Sequence, residues 1–324
     1  MTHEPASMSP AARNRSPSDE QGRLASRKKH LWLRARMVQA IRRFFIDRDY
    51  LEVETPQLIP APAPEVHIDA VRSGELYLQT SPELCMKRLL AAGYPRIFQL
   101  GKCFRSGERG RLHLPEFTLL EWYRAGMDYK TLMKECEALI HSVSQALGFW
   151  GVIDYQGIEI NIENSWEKIP VSTAFDRFAS LTVEEALDEG RFDEIMTLEI
   201  EPHLGIKRPT FLYDYPASLA ALARLKISDQ RFAERFEVYI GGVELANGFS
   251  ELTDENEQRK RFEKERRERT SLGKEVYPMP DNFLKALQFM DQAGGVALGV
   301  DRLGMILADR SSIDDLVSFT PEEL

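Results

Sequence analysis

Phe104-Arg105-Ser106-Gly107-Glu108-Arg109-Gly110-Arg111-Leu112-His113-Leu114-Pro115-Glu116-Phe117-Thr118-Leu119-Leu120-Glu121-Trp122-Tyr123 is where the fold of this chain first becomes legible. Its two ends belong to apolar, strand-like runs, 96–104 and 117–125, while the stretch between them is polar, carries two glycines and stops at a proline. That pattern predicts an antiparallel hairpin with a long loop. A second hairpin is predicted where 236–240 and 243–248 flank Gly241-Gly242, a two-residue turn that needs positive φ. Residues 294–300 read as a glycine-rich strand running into a helix near Asp301. Helical periodicity marks 33–45, through Leu33, Met37, Ile41, Phe44 and Phe45, and further helices are expected over 83–92, 128–147 and 256–271. Strands joined by hairpins and flanked by helices predict an α+β fold with a mainly antiparallel sheet.

The remaining segments set the limits of that unit. Residues 1–28 are polar and contain Pro5, Pro10 and Pro17, so a disordered tail is expected there and a single catalytic domain over 29–324. A short strand is expected over 50–56, stopped by Pro56, then a Pro/Ala-rich loop at 60–64. A strand over 76–80 should deliver Ser81-Pro82-Glu83 to a helix start. Residues 150–235 read as mixed and mostly helical. The chain has 324 residues, 43% of them apolar, which suffices for a sizeable core. No run approaches the roughly 20 apolar residues of a membrane span, and no signal peptide opens the chain, so the cytoplasm is the expected compartment.

The formal net charge of −9 argues against nucleic acid as a partner, since phosphate contacts draw on a basic surplus. The basic run at 259–267 is interleaved with Glu257, Glu263, Glu265 and Glu268 at helix ion-pair spacing and reads as a solvated face. Cys85, Cys103 and Cys136 are isolated and read as structural thiols. Glycine-rich dinucleotide, phosphate-loop and His-Glu-x-x-His motifs are all absent.

Three segments carry the chemistry: the looped hairpin quoted above, 242–252 (Gly-Val-Glu-Leu-Ala-Asn-Gly-Phe-Ser-Glu-Leu), and 295–303 (Gly-Val-Ala-Leu-Gly-Val-Asp-Arg-Leu). In this order, with the helix–strand–Pro56 unit before them, they resemble motifs one to three of the class II aminoacyl-tRNA synthetases over about residues 30–320. The resemblance is closest to the lysine branch, and within it to the paralogues that lysylate elongation factor P.

That resemblance implies ATP-dependent activation of lysine, or (R)-β-lysine, as an adenylate, with Mg2+ as cofactor. Arg105 would hold the α-phosphate and the attacking carboxylate, and Arg302 the γ-phosphate, because a planar guanidinium binds phosphate bidentately. Phe117 would stack on adenine, His113 would close the loop over the nucleotide, and Gly299 would border it. Glu244 and Glu251 would be the Mg2+ ligands. Glu83 and Glu121 would meet the two ammonium groups, with Tyr123, Ser81 and Glu251 beside them. Glu83 and Glu121 are expected to lack an internal basic partner, which would suit a diamine ligand. Ala297 would form the pocket floor and favour the β-amino acid.

One departure stands out. The usual Arg-x-Glu opening of motif two has glycine at 107, which leaves Glu108 as the candidate for the missing contact. No anticodon-binding barrel is expected in so short a stretch before the first helix, so elongation factor P is the expected acceptor and tRNA is disfavoured. The family uses its first motif to dimerise, which implies a homodimer. The alternatives are a tRNA or carrier acceptor, and a non-catalytic paralogue. Retention of Arg105, Glu244, Glu251 and Arg302 counts against the second.

Overall fold

A computed structural model describes residues 20–324. Helix α1 (Glu20–Ile46) opens it, with Met37, Ile41, Phe44 and Phe45 buried on the expected stripe. The helix starts earlier than the apolar pattern suggests, which corrects the expectation of a tail for residues 20–28. Tertiary polar contacts are the reason: Arg27 donates to the Ser318 carbonyl at 3.1 Å and to Glu323 at 2.6 Å. Periodicity does not register such contacts. Residues 1–19, the rest of the expected tail, lie outside the described residues.

In chain order there follow β1 (Leu51–Glu52), α2 (Glu83–Ala91), β2 (Arg96–Phe104), β3 (Glu116–Ala125), α3 (Tyr129–Leu147), β4 (Glu167–Pro170) and β5 (Thr210–Pro216). Then come β6 (Phe232–Ile240), β7 (Val243–Ser250), α4 (Glu255–Ser271), β8 (Ala293–Gly299) and α5 (Val300–Leu307). The eight strands form one sheet in the order β1-β2-β3-β8-β7-β6-β5-β4. It is antiparallel from β2 through β5, with a parallel pair at each edge. The expected α+β class is therefore the observed one. Among the described residues no helix is long and apolar enough to cross a membrane.

The pleat sorts the sheet into two faces. Phe98, Trp122, Val296, Gly248 and Phe236 are in register across five strands and belong to the main core. Phe45 of α1 stacks on Phe98 with ring centroids 4.8 Å apart, so α1 and α3 cover this face. Gly248 is obligatory here, because a Cβ would lie 2.6 Å from the Phe236 ring and 2.9 Å from Val296. The next residue along each strand, Gln99, Glu121, Ala297, Asn247 and Glu237, forms the in-register row on the opposite face. That face holds the cavity described below.

The stretch 150–235 departs from its mostly helical reading. It contains the hairpin Val152–Tyr155/Ile158–Asn161, β4, β5 and the start of β6, beside short helices. Much of β5 and β6 is buried on both faces, so neither shows the polar–apolar alternation that identifies a strand. Cys103 and Cys136 are buried and free, and Cys85 is partly exposed and free.

Candidate active site

A cavity of about 230 Å3 lies on the polar face of the sheet, floored by Ala297 and Asn247 and walled by α2, the β2–β3 loop and the loop around Glu65. Its two ends differ in charge.

At one end carboxylates crowd together. Glu121 is buried, accepts from the Ser81 hydroxyl at 2.5 Å and from the Tyr123 hydroxyl at 2.7 Å, and sits beside Glu83. Burial, with the charge of Glu83 adding to it, pushes its carboxyl up to about 8. Burial likewise pushes Glu251 up to about 8. Lys87 corrects the expectation that this end has no internal base: it is buried and ion-paired to Glu83 at 2.5 Å and to Glu251. The reason is helical spacing, which puts Lys87 one turn beyond Glu83 on α2. Burial works against its charge, but Glu251 and Glu83 outweigh it and hold the ammonium above the usual lysine range. Three carboxyl groups thus gather around one ammonium, more acids than this single base can pair. Glu251 Oε1 is buried with no hydrogen-bond donor. A Cβ at Gly295 would overlap both this oxygen and the Tyr123 ring, so glycine there keeps the end open.

At the other end arginines dominate. Arg105 lies over the Phe117 ring at 5.0 Å, and its Nε is buried without an acceptor. Gly107 takes φ +78, so its role is a backbone one. Glu108 stands 3.6 Å from Arg105 as its ion-pair partner. Arg302 donates to the Glu244 carbonyl at 2.9 Å, to the Glu244 carboxylate at 3.2 Å and to the Leu112 carbonyl at 3.3 Å. Its remaining nitrogen is 2.7 Å from His113 Nε2. Guanidinium only donates, so His113 must accept there through an unprotonated Nε2. Burial, then Arg302, lowers the His113 pKa accordingly. Gly299 lines the cavity, and a Cβ there would make only ordinary contact with the Arg302 methylenes.

The two candidate metal ligands, Glu244 and Glu251, have different charged neighbours. Glu251 is ion-paired to Lys87, whereas Glu244 has Glu237 as a like-charged neighbour. Glu237 accepts from Tyr215 at 2.5 Å, Tyr239 at 2.7 Å and Arg235 at 2.7 Å. Even so, burial and then Glu244 raise its pKa. Among the described residues no three acidic, histidine or cysteine side chains form a ready cage. Mg2+ does not require one, because it is ordinarily held by one or two carboxylates together with phosphates and water.

Sequence reasoning missed Lys87, Arg235, Glu237 and Glu65. Counting back through the Gly241-Gly242 turn puts Glu237 opposite Ala246; the bulge between Val238 and Tyr239 shifts it to face Asn247, which is why its side of the sheet is not legible from the turn. Lys87 was recoverable from its i,i+4 distance to Glu83.

Comparison with known proteins agrees in one direction. Residues 21–323 match the family of tRNA synthetases class II (D, K and N). The chain is 42% identical over 310 residues to the elongation factor P–(R)-beta-lysine ligase of Proteus mirabilis, covering 90% of this chain and 94% of that protein. It is 43% identical over 311 residues to the protein of the same name from Photorhabdus laumondii, again covering 90% and 94%. The Salmonella gallinarum protein of that name is 41% identical over 307 residues, with the same coverage.

Proposed function

The chain belongs to the class II tRNA synthetases (D, K and N), and from that premise we propose that it is an ATP-dependent ligase that activates a β-lysine and transfers it to a lysine side chain of elongation factor P. The observation that carries this reading is the two-ended cavity: a carboxylate surplus at one end, and at the other two arginines, one with an orphaned buried Nε. A diamine carboxylic acid complements both ends at once. Its terminal ammonium meets Glu121 and Tyr123, with the unpaired Glu251 oxygen behind them, its other ammonium meets Glu83, and its carboxylate points to Arg105.

Adenylate formation joins two anions through a more anionic transition state. Arg105 neutralises the reacting carboxylate and α-phosphate, and its unpaired Nε is a donor without an internal competitor. Arg302, held by Glu244, Leu112 and His113, is oriented for the outer phosphates without a rearrangement during reaction. Glu244, whose carboxylate lines the cavity beside Arg302, would contribute a ligand to Mg2+, which would offset phosphate charge and polarise phosphate oxygens. Phe117 offers the adenine a ring face.

Ala297 stands between Glu121 and Asn247 in the floor row. A β-amino acid carries its amine one carbon further along, so a floor raised by one methyl accommodates it and crowds the α-amine. One methyl of fit corresponds to about 1–3 kcal/mol, and Ala297→Gly is therefore expected to shift the ratio of (R)-β-lysine to α-lysine activation toward α-lysine by about tenfold or more. Pyrophosphate exchange with each isomer measures this. An unchanged ratio removes Ala297 as the discriminator, and no exchange with either isomer removes the activity itself.

A homodimer is the proposed assembly, since Ile46, Leu51 and Leu58 leave apolar surface exposed near β1 at the sheet edge. Light scattering at micromolar concentration is expected to give twice the 37.1 kDa chain mass. A monomeric mass would contradict this.

A further inference from the structure

Glu65 is a cavity carboxylate that the steps above leave unused. Its backbone is pinned on every side. Arg269 of α4, itself buried, donates to the Glu65 carbonyl at 2.7 Å, the Ile68 carbonyl at 3.1 Å and the Asp69 carboxylate at 2.7 Å. Val66 N donates to Glu265 at 2.9 Å, and Lys274 donates to the Val66 carbonyl at 2.9 Å. The segment 65–69 is therefore tied to α4 and the turn that follows it. The Glu65 carboxylate, by contrast, takes no hydrogen bond among the described residues and is partly exposed within the cavity. Four charged groups face it: Glu83 of α2, Arg105 of the β2–β3 loop, Arg235 of β6 and Glu265 of α4. A carboxylate on a tethered backbone, with no hydrogen bond of its own, thus lines the cavity together with Arg105, the arginine assigned to the reacting carboxylate.

We propose that Glu65 is the general base of the transfer step, taking a proton from the acceptor amine as it attacks the aminoacyl adenylate. The inference rests on the reading above. An alkylammonium titrates near 10.4, so an acceptor lysine arrives protonated and is not a nucleophile at neutral pH. Its ammonium gives one proton to the Glu65 carboxylate. The freed nitrogen pair forms the C–N bond, and the bond from the carbonyl carbon to the phosphate oxygen breaks with its electron pair on AMP. The second nitrogen proton passes to the departing phosphate, and Glu65 returns its own to solvent. Burial, with Glu83 adding, pushes the Glu65 carboxyl up to about 7. That places it near working pH, where a general base is most effective.

The test uses Glu65→Gln in the full chain and separates the two half-reactions. Lysine-dependent pyrophosphate exchange should stay within about threefold of wild type, while single-turnover transfer to elongation factor P, and to a simple alkylamine, should fall by about 100-fold or more. Hydroxylamine, which is unprotonated at neutral pH, should capture the adenylate equally well in both proteins. Wild-type transfer should rise with pH through an ionisation near 7 that the variant lacks. Transfer at the wild-type rate by the variant overturns the proposal, and so does a loss that is equal in exchange or with hydroxylamine. If wild type leaves elongation factor P unmodified, the acceptor reading fails separately. The alkylamine arm then decides on Glu65: retention of rate overturns its role, and selective loss supports it.

Discussion

Arg302→Ala is expected to lower lysine-dependent pyrophosphate exchange by about 100- to 1000-fold, the usual cost of removing one preorganised donor to transition-state charge. The side chain is only partly buried and packs no core. Its contacts are the Leu112 and Glu244 carbonyls, the Glu244 carboxylate and His113, all at the cavity. The apolar side of α5, with Leu303, Met305, Ile306 and Leu307, stays in place, so thermal unfolding should change little. Arg302→Lys should recover only part of the rate, because an ammonium lacks the planar fork that contacts phosphate and carbonyls together. Exchange near the wild-type rate in the alanine variant would mean that this guanidinium does not act on the nucleotide.

Glu121→Gln is expected to raise KM for the lysine substrate by about 100- to 1000-fold, as expected when one partner of a buried ion pair is lost. KM for ATP should hold, since Glu121 lies at the opposite end of the cavity from Arg302. The same substitution should affect the ligand-free protein in the other direction. Glu121 titrates near 8 when folded, against about 4.5 when exposed. Between those values the folded protein binds more protons than the unfolded one, so this group's contribution to stability is lost as pH rises toward 8. Glutamine has no such loss. The variant should therefore gain melting temperature relative to wild type on going from pH 6 to pH 8, measured without lysine. A rise in KM for both substrates, or a relative loss of stability at pH 8, would contradict the assignment.

Much of this architecture is legible in the sequence because it rests on local rules. The Gly241-Gly242 turn fixes the β6–β7 hairpin, and the polar interruption at 105–115 marks the long-looped β2–β3 pair. Period-two alternation then sorts Trp122 from Glu121 and Gly248 from Asn247. What escaped notice depends on distant segments meeting. Residues 20–28 look like tail until Arg27 reaches Glu323, and β5 hides because both of its faces are covered. Within the site, the family resemblance implies Glu244 and Glu251 as a pair. The bulge between Val238 and Tyr239 and the hairpin register instead bring Glu237 to Glu244 and release Glu251 toward Lys87. Glu65 follows a proline-rich loop with no motif, and contacts from Arg269, Glu265 and Lys274, some 200 residues away, hold its backbone at the cavity.

The most direct measurement is the mass of the product. The protein, ATP and (R)-β-lysine or α-lysine are incubated with elongation factor P or with bulk tRNA, and each acceptor is weighed by mass spectrometry. The proposal predicts one lysyl addition to elongation factor P, faster with (R)-β-lysine, that requires ATP, and no aminoacylation of tRNA. Charged tRNA beside unmodified elongation factor P would contradict it.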